Sequence, residues 1–476
     1  MSFPSASCPP GAAQAHVTRQ SCLCPPQPKP LRCARVVIDN GNKPGGPGEL
    51  GEKTILKRTT ALITLLFALA FICPSATLAD GAGATTTPDH VVLSWTGNPA
   101  TTMTITWRTD PSVAAGVVEY AKGAKLAGSP KTANATVSDF STDLGDTHIF
   151  RATLTGLGPN TRYSYRVGDG RHWSPTHTFT TANPGSDTAK FIVFGDSQSV
   201  PPYSTWQKTI HSAYKANPDA KFVVNVGDLS DVGQSAAHWN AWFDAAAGVI
   251  DAVPEMPVIG NHETTGRKGE RKPEYWLAQF SVPANGPSAI KGQAYSYDYG
   301  PVHVAVLDSQ GSEEKQYGDI FGPQKRWLDA DLKASKATWK IVFFHKAPYE
   351  LHTTRKSPDV KSAFCPILES NHVDLVFNGH DHGIARTYPI KNGECKRKPS
   401  EGTIYCIAGR SGTKCYTDLE KKPWDAFFCN PTDQPNYLVV DVVGKKLTIR
   451  TVKQDGTLVS TCTIDKAKDT DSDCPQ

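Results

Sequence analysis

The sequence predicts a layered α/β sandwich that follows a smaller all-β sandwich. From residue 189 onward, short apolar runs alternate with segments of helical spacing, a pattern typical of buried strands covered by helices. Five of these runs are followed directly by Asp, Asn or His, at the strand ends where open α/β sheets bind ligands. Between residues 89 and 180 the pattern is different, because about seven short segments alternate with period two between turn residues.

Composition excludes few classes of protein but sets useful limits. The chain has 476 residues, of which 39% are hydrophobic and 20% charged, as in ordinary globular proteins. Its formal net charge is +4, and no block of Lys and Arg stands out, so we expect no nucleic-acid partner. The length allows two or three domains.

The N-terminal region resembles a late-starting secretory signal. Residues 1–53 carry Pro, Gly and Cys without periodicity and are predicted to be disordered. Residues 54–79 follow the signal pattern, with a basic start, the apolar run 61–72 and T-L-A before Asp80. The apolar run is shorter than the ~20 residues that a membrane span needs, so we expect a secreted or periplasmic protein without a stable membrane span.

Two points about this signal stay open. The alternative is an uncleaved N-terminal anchor. Because the signal begins more than fifty residues after Met1, we also hypothesise that translation starts later, which N-terminal sequencing of the exported protein would test. Cys73 is not preceded by a lipobox, so a lipoprotein is not expected.

Residues 84–182 are predicted to form the all-β sandwich, of immunoglobulin or fibronectin type. The stretch L-T-G-L-G-P-N-T-R-Y-S-Y-R-V at 154–167 resembles the part of a fibronectin type III domain that carries a strand, a turn and the tyrosine strand. We expect this domain to be a structural spacer packed on the following domain. The alternative is a binding or positioning module.

Residues 189–465 are predicted to form the α/β domain, followed by a C-terminal tail at 466–476. The predicted strands are 191–194, 221–226, 256–259, 294–299, 302–309, 339–344, 372–378, 403–408, 437–443 and 446–452. The predicted helices are 235–250 and 323–334.

The polar residues after five of these strands form a constellation. They are Asp196 with Gln198, Asp228, Asn261 with His262, His345, and His380 with His382. Any one of them has an ordinary explanation as a turn former or a core histidine. Together they predict a dinuclear metal site, in which two ions ~3.5–4 Å apart clamp the attacking and leaving oxygens of a phosphoryl transfer. Oxygen and imidazole donors without thiolate suit Zn, Fe or Mn.

With these motifs, residues 189–455 resemble the calcineurin-like metallophosphoesterase superfamily, and the preceding sandwich makes the chain most similar to its purple acid phosphatase branch. The resemblance implies a four-layer sandwich of two mixed sheets flanked by helices. It also implies hydrolysis of phosphate monoesters by a metal-bound hydroxide.

The resemblance further implies a role for each residue. Asp228 would bridge the two metals, and Asp196 and His382 would hold the first. The second metal would be held by Asn261, His345 and His380. His262 would not be a ligand but would face the leaving-group oxygen or the phosphate, as general acid or electrostatic stabiliser.

The sequence departs from the family pattern at two positions. The purple enzymes carry G-D-x-x-Y, whose tyrosine binds ferric iron, and here that position is Asp231. Their first motif is D-x-G, and the non-purple branches have D-x-H with a ligand His, whereas this chain has Gln198. Gln198 is therefore either a weak ligand of the first metal or a residue just outside the ligand shell.

These departures predict a colourless enzyme. Without a tyrosinate ligand, the purified protein should lack a strong charge-transfer band in its visible absorption spectrum. A strong band in the protein as isolated would contradict this prediction.

Substrate contacts are predicted from two further segments. Tyr349 and His352 in H-K-A-P-Y-E-L-H resemble the substrate-facing loop of the family. Arg410 follows a strand near the last motif and would reach the phosphate, unless the neighbouring glycines simply mark a tight turn.

The cysteines after residue 350 predict disulfides. Seven occur there without a CxxC pair, which favours disulfides over a zinc site, and the odd number leaves at least one without a partner in this region.

Two other functions are compatible with the sequence. The same metal centre would serve a phosphodiesterase or nucleotidase. A protein of another class would use the fibronectin-like domain for extracellular binding or adhesion, with a vestigial metal site; the intact set of metal-type residues argues against that decay.

Overall fold

The computed structural model describes residues 83–266, 269–270 and 272–475. The predicted disordered segment 1–53 and the predicted signal at 54–79 lie outside these residues. Within them, no helix combines the length and the apolar character that crossing a membrane requires.

The first domain is a sandwich of two antiparallel four-stranded sheets. Its strands are β1 Asp89–Ser94, β2 Met103–Thr109, β3 Val117–Lys122, β4 Lys131–Asn134, β5 Thr136–Thr142, β6 Gly145–Leu154, β7 Arg162–Gly168 and β8 His177–Thr180. One sheet has the order β1-β2-β6-β5 and the other β4-β3-β7-β8. Trp107 of β2 stacks on Phe150 of β6 in the core, with ring centroids 5.3 Å apart. The predicted all-β sandwich is confirmed.

The second domain is built from two larger sheets and five helices within the described residues. Its strands are β9 Thr188–Phe194, β10 Phe222–Asn225, β11 Thr265–Gly266, β12 Gly269–Glu270, β13 Tyr295–Tyr299, β14 Val302–Val306, β15 Trp339–Phe343, β16 Leu375–Asn378, β17 Ile384–Thr387, β18 Ile390–Lys391, β19 Glu394–Cys395, β20 Ile404–Ala408, β21 Asp425–Cys429, β22 Asn436–Val443, β23 Lys446–Lys453, β24 Leu458–Asp465 and β25 Thr470–Pro475. Its helices are α1 Ser204–Ala216, α2 Ala236–Ala246, α3 Glu274–Gln279, α4 Phe321–Ala334 and α5 Pro358–Ser370.

The two large sheets are mixed and pack face to face. One has the order β10-β9-β22-β23-β24-β25 and the other β13-β14-β15-β16-β20-β17-β21. Because side chains alternate along a strand, β15 turns Ile341 and Phe343 toward the core shared with the first sheet, while Val342 points to the opposite face. On that face Leu328 of α4 and Phe364 of α5 pack in the same cluster as Val342. The predicted four-layer sandwich is confirmed.

Polar contacts and a shared apolar core hold the β-sandwich domain against the α/β domain. The guanidinium of Arg108 donates to both carboxylate oxygens of Asp89, at 2.8 and 2.7 Å, and to Oδ1 of Asn240 on α2, at 2.6 Å. The buried hydroxyl of Tyr165 donates to the carbonyl of Asp251 at 2.7 Å. These contacts support the interpretation of the first domain as a structural spacer.

Two segments differ from the sequence prediction. The predicted strand 256–259 is an extended segment beside β10, where the N–H of Met256 donates to Val223 O at 3.0 Å. Pro254 and Pro257 interrupt it, and proline has no N–H for a strand ladder. The predicted C-terminal tail is also wrong, because β25 pairs with β24 at the edge of the first sheet.

Disulfides stay a prediction. Cys365, Cys395 and Cys415 carry free thiols, the first buried and the other two exposed. Cys474 has no described side chain.

His303 on β14 makes stability depend on pH. Its Nδ1 lies 2.7 Å from Asp298 Oδ1 and its Nε2 lies 2.9 Å from Asp331 Oδ2 of α4. Burial by itself lowers the pKa of His303, but the two carboxylates outweigh it and raise the pKa to about 9. Across the ladder His303 is paired in register with Lys340.

We therefore expect the stabilisation by His303 to be complete below its unfolded pKa of ~6.5 and to be lost as pH rises toward 9. Denaturant unfolding at pH 6 and pH 9.5 would show a drop in the free energy of unfolding that is smaller in His303→Gln. An equal drop in both proteins would contradict this assignment.

Candidate metal centre

The predicted site residues meet where the strands of both sheets end. Asp196 and Asp228 follow the parallel pair β9 and β10 of the first sheet. His345 and His380 follow the parallel pair β15 and β16 of the second sheet. Parallel neighbours present their carboxyl ends at one edge, and the face-to-face packing of the sheets brings the two edges together.

The backbone is strained at four of these positions. The φ angles are 39° at Asp196, 53° at Asp228, 73° at His380 and 60° at His382, all in the left-handed region. This conformation costs on the order of 1–3 kcal/mol per non-glycine residue, and such strain is concentrated at functional sites. The fold therefore holds these side chains in orientations that relaxed strand ends would not give.

Glycine is required beside this strained backbone. A Cβ on Gly260 would lie 2.2 Å from the main-chain nitrogen of Asp228. The approach of these two main chains places Asp228 next to Asn261.

One group of donors, here the second set, consists of Asp228, Asn261, His345 and His380. His345 Nε2 lies 3.2 Å from Asp228 Oδ2, 3.1 Å from Asn261 Oδ1 and 3.1 Å from His380 Nδ1. The other ring nitrogen of His345 donates to the carbonyl of Val226 at 2.9 Å. That hydrogen bond leaves the Nε2 lone pair of a neutral ring directed at the other donor atoms.

The other group, here the first set, consists of Asp196, Gln198, Asp228 and His382. His382 Nε2 lies 3.3 Å from Asp196 Oδ1, and its Nδ1 donates to the carbonyl of Lys414 at 2.7 Å. Asp196 also accepts the N–H of His380, at 2.8 Å and 3.1 Å to its two oxygens. This contact links the first set to the strand end that carries the second.

Hydrogen bonding determines which amide atom of Gln198 faces the first set. With Nε2 turned to the main-chain oxygens of Asp196 and Asp228, at 3.2 and 3.1 Å, the amide nitrogen has two acceptors. The amide oxygen then lies 3.3 Å from Asp228 Oδ2 and 3.4 Å from His382 Nε2. In the opposite orientation the amide oxygen would face only carbonyl oxygens. Gln198 is thus oriented as an oxygen donor.

Both sets fit a cation. The ligand atoms of Asp228, His345 and His380 lie within 4.8 Å of one another, and so do those of Asp196, Asp228 and His382. Lone pairs of buried neutral imidazoles and carboxylates that face each other repel unless a proton or a metal ion lies between them.

The charge state of Asp228 suits the same role. Burial on its own would raise the pKa of Asp228, but the positive charges that His345, His262 and His380 carry when they are protonated hold it well below the usual value. The shared carboxylate therefore stays ionised, as a metal ligand must be.

Glu263 holds the main chain around Asp228 by hydrogen bonds. Its Oε2 accepts the N–H groups of Gly260 at 2.7 Å and Asp228 at 2.9 Å, and its Oε1 accepts those of Leu229 at 2.9 Å and Ser230 at 3.1 Å. Burial, with the charge of Asp228, raises the pKa of Glu263 to about 8, and the N–H donors of Ser230 and Gly260 limit that rise. Glu263 therefore fixes the turn that carries Asp228. It follows His262 directly in sequence, but the sequence gives no sign of its four backbone contacts.

His262 lies beside the shared carboxylate but outside both sets. Its main-chain N–H donates to Asp228 Oδ1 at 2.8 Å, while its Nε2 is 4.0 Å from Asp228 Oδ2. Nδ1 donates to the carbonyl of Asp231 at 2.6 Å. The N–H of Asp231 in turn donates to the buried hydroxyl of Tyr203 at 2.9 Å, so the imidazole is held at a fixed angle.

Two predicted substrate contacts are wrong. The ring of Tyr349 is 3% exposed and packs in the apolar cluster of α4 and α5, 4.7 Å from the ring of Tyr405. Arg410 is 4% exposed, and its guanidinium donates to the carbonyls of Gly412 at 2.8 Å and Thr432 at 3.3 Å. Tyr349 belongs to the core, and Arg410 secures the loop after β20.

His352 is separated from the donor sets by the ring of Tyr416. Its Nδ1 is 3.0 Å from Asp418 Oδ2, and its ring contacts the ring of Tyr416 at 4.7 Å. Tyr416 in turn lies 4.6 Å from the ring of His382. His352 is buried and therefore supports Tyr416, so the prediction that it contacts substrate is not supported.

Three side chains at the site were not predicted from the sequence. Tyr416 packs on His382, and Lys414 Nζ lies 3.1 Å from His262 Nε2. Arg355 donates to the carbonyl of His380 at 2.7 Å. Lys414 and Tyr416 lie in the irregular segment between β20 and β21, and Arg355 in the irregular segment before α5, so no periodic pattern marks them.

Family comparisons agree with this architecture. Residues 88–181 match the model described as the N-terminal domain of purple acid phosphatase. Residues 189–383 match the model described as calcineurin-like phosphoesterase. The second match contains all seven predicted ligands and His262.

Individual relatives match more than half of the chain. Mouse acid phosphatase type 7 is 29% identical over 378 residues, which are 71% of this chain and 82% of that protein. A probable inactive purple acid phosphatase 9 of Arabidopsis thaliana is 27% identical over 309 residues, which are 55% of this chain but only 46% of that protein. The purple acid phosphatase from yellow lupin seeds has the same fold, with a TM-score of 0.68 at 19% identity, over 80% of this chain and 74% of that one. The chain thus carries a calcineurin-like phosphoesterase domain, the domain of a phosphoesterase hydrolase, preceded by the N-terminal domain of purple acid phosphatases.

Proposed function

We propose that this chain hydrolyses phosphate monoesters at a pair of metal ions held by the two donor sets. The observation that carries the proposal is the position of Asp228. Its Oδ2 lies 3.2 Å from His345 of the second set and 3.3 Å from the inner amide atom of Gln198 in the first. One ionised carboxylate common to two sets of oxygen and imidazole donors is the arrangement that a two-metal hydrolase needs.

The two sets would hold one ion each and share Asp228. Asp196, Gln198 and His382 complete the first set, and Asn261, His345 and His380 complete the second. When bound, the ions supply an activated water and offset the negative charge of the phosphoryl group. The donor types suit Zn, Fe or Mn, and Gln198, as a neutral amide donor, makes the first site the weaker of the two.

His262 would serve the leaving-group side of the reaction. Its Nδ1 is occupied by the carbonyl of Asp231 at 2.6 Å, so only Nε2 is available to a substrate oxygen. Held in this way, the imidazole stabilises or protonates the oxygen that departs from phosphorus. Because its contact with Asp228 is made by the main chain, the ring can act on substrate without disturbing the shared carboxylate.

Turnover of two chromogenic esters tests the proposal. Full-length protein loaded with Zn, Mn or Fe should hydrolyse p-nitrophenyl phosphate faster than bis-p-nitrophenyl phosphate. Faster cleavage of the diester would instead assign a phosphodiesterase. An absence of turnover on both esters, with metals bound, would favour a binding protein that uses the first domain.

We further propose that the mature protein is secreted or periplasmic. The support is the basic start, apolar run and T-L-A of residues 54–79. Its partner would be a small phosphorylated substrate. The absence of a tyrosinate ligand at Asp231 remains part of the proposal, with visible absorption as its test.

A further inference from the structure

Lys414 reaches across the metal centre from one donor set to the catalytic histidine. It lies in the segment between β20 and β21, and its carbonyl accepts the Nδ1 proton of His382 at 2.7 Å. Its side chain extends to the other side, where Nζ lies 3.1 Å from His262 Nε2. The backbone of Lys414 therefore orients a ligand of the first set, while its ammonium lies beside the group assigned to the leaving-group side.

Hydrogen bonding gives this contact a direction. Nδ1 of His262 donates to the carbonyl of Asp231, so in the neutral ring, before substrate binds, Nε2 carries the lone pair. An ammonium group has three donors and no acceptor. Lys414 is therefore the donor, and two of its protons stay available for another acceptor. The protonated ring that would serve the substrate has a proton on Nε2 as well, and Lys414 then turns to the phosphoryl oxygens.

The positive charge of Lys414 has no carboxylate partner in an ion pair within the described part of the chain. The neighbouring cation, Arg355, does have a carboxylate partner. It donates to Asp381 Oδ1 at 3.2 Å and to the carbonyl of His380 at 2.7 Å. Both cations flank the ring of Tyr416, Arg355 at 5.0 Å and Lys414 at 5.7 Å from its centroid. A half-buried ammonium beside two cation sites is electrostatically unfavourable until an anion binds there.

We propose that the ammonium of Lys414 binds the oxygens of the substrate phosphoryl group that face away from the donor sets, together with His262. This proposal rests on the proposed phosphatase function and specifies its substrate class. A phosphate monoester has two negative charges at neutral pH, whereas a diester has one. The ammonium of Lys414 would be a third positive group beside the two metal ions. It therefore favours the monoester dianion, and inorganic phosphate, over a diester.

The test compares three variants of the full-length, metal-loaded protein. Lys414→Met should weaken the binding of inorganic phosphate, measured by calorimetry, by about 10- to 100-fold, the usual effect of losing a hydrogen bond to a charged group. Its kcat/KM for p-nitrophenyl phosphate should fall by a similar factor, and that for bis-p-nitrophenyl phosphate by less. Lys414→Arg should retain most of the phosphate affinity, because it keeps a positive donor. Lys422→Met, in the same segment with its Nζ paired to Glu420 at 2.6 Å, should match the unmodified protein.

The outcomes separate this proposal from the function on which it rests. If the unmodified protein cleaves neither ester, the phosphatase function fails, while the phosphate titrations still report on Lys414. Unchanged phosphate affinity and an unchanged monoester-to-diester ratio in Lys414→Met would overturn the proposal. Loss of metal from Lys414→Met would also overturn it, since the residue would then act only through His382.

Discussion

Asp228→Asn should abolish both metal binding and turnover. The substitution keeps the shape of the side chain but removes its charge and directs N–H groups toward the neighbouring donors, with His345 Nε2 only 3.2 Å away. Because the carboxylate is common to both sets, neither ion would keep its ligands. The metal ions would then no longer stabilise the transition state, and a loss of several kcal/mol of that stabilisation corresponds to a fall in kcat/KM of at least about 10³-fold.

Elemental analysis and p-nitrophenyl phosphate assays on the same preparation provide the measurement. The matched control is Asp219→Asn, a surface carboxylate paired with Lys190 at 2.7 Å, which should leave metal content and activity unchanged. A variant Asp228→Asn protein that retains its metal and turns over at a normal rate would show that the shared carboxylate has been assigned wrongly.

His262→Ala should separate catalysis from metal binding. The side chain lies outside both donor sets, and the N–H that it donates to Asp228 Oδ1 at 2.8 Å belongs to the main chain, which alanine keeps. We therefore expect an unchanged metal content and a kcat lower by about 10²–10⁴-fold, the usual contribution of a general acid. The loss should grow with the basicity of the leaving group, because a poorer leaving group needs the proton more.

A series of aryl phosphates with leaving groups of different pKa measures that dependence. His211→Ala, an exposed histidine on α1, serves as the control. If His262→Ala loses its metal in parallel with its activity, His262 acts on the ligand sets and not on the leaving group.

The strand ends of this protein could be predicted from sequence because each combines two signals. A short apolar run marks a buried strand, and the polar residue directly after it must lie at the sheet edge, so Asp196 and His345 could be placed without coordinates. The backbone at Asp196 and Asp228, by contrast, is left-handed, although neither residue is a glycine. Such strain persists only where the surrounding tertiary structure holds it. No local pattern encodes that tertiary structure.

Residues in irregular segments were harder to place. Arg410 and Lys414 are four positions apart, and both are basic. Arg410 turns inward to the carbonyl of Gly412, whereas Lys414 turns toward His262. Which of the two faces the site depends on the path of a segment without regular secondary structure, so the sequence pointed to the wrong one.

Helices with mixed signals were missed for a related reason. α5 contains Pro366, which argues against a helix interior, yet its buried face of Val360, Phe364 and Leu368 packs under β15 and β16. Tyr349 lies in the same cluster, which explains why its position after His345 did not make it a substrate contact. Tertiary packing outweighed the local sequence preference in both cases.

The shared role of Asp228 is tested by the metal stoichiometry of the purified full-length protein, measured alongside its phosphatase activity through removal and return of metal. We expect two ions per chain, loss of p-nitrophenyl phosphate hydrolysis when a chelator removes them, and recovery when Zn, Mn or Fe is returned. Full activity in protein from which all metal has been removed would contradict the assignment of Asp228 as the carboxylate shared by two metal ions.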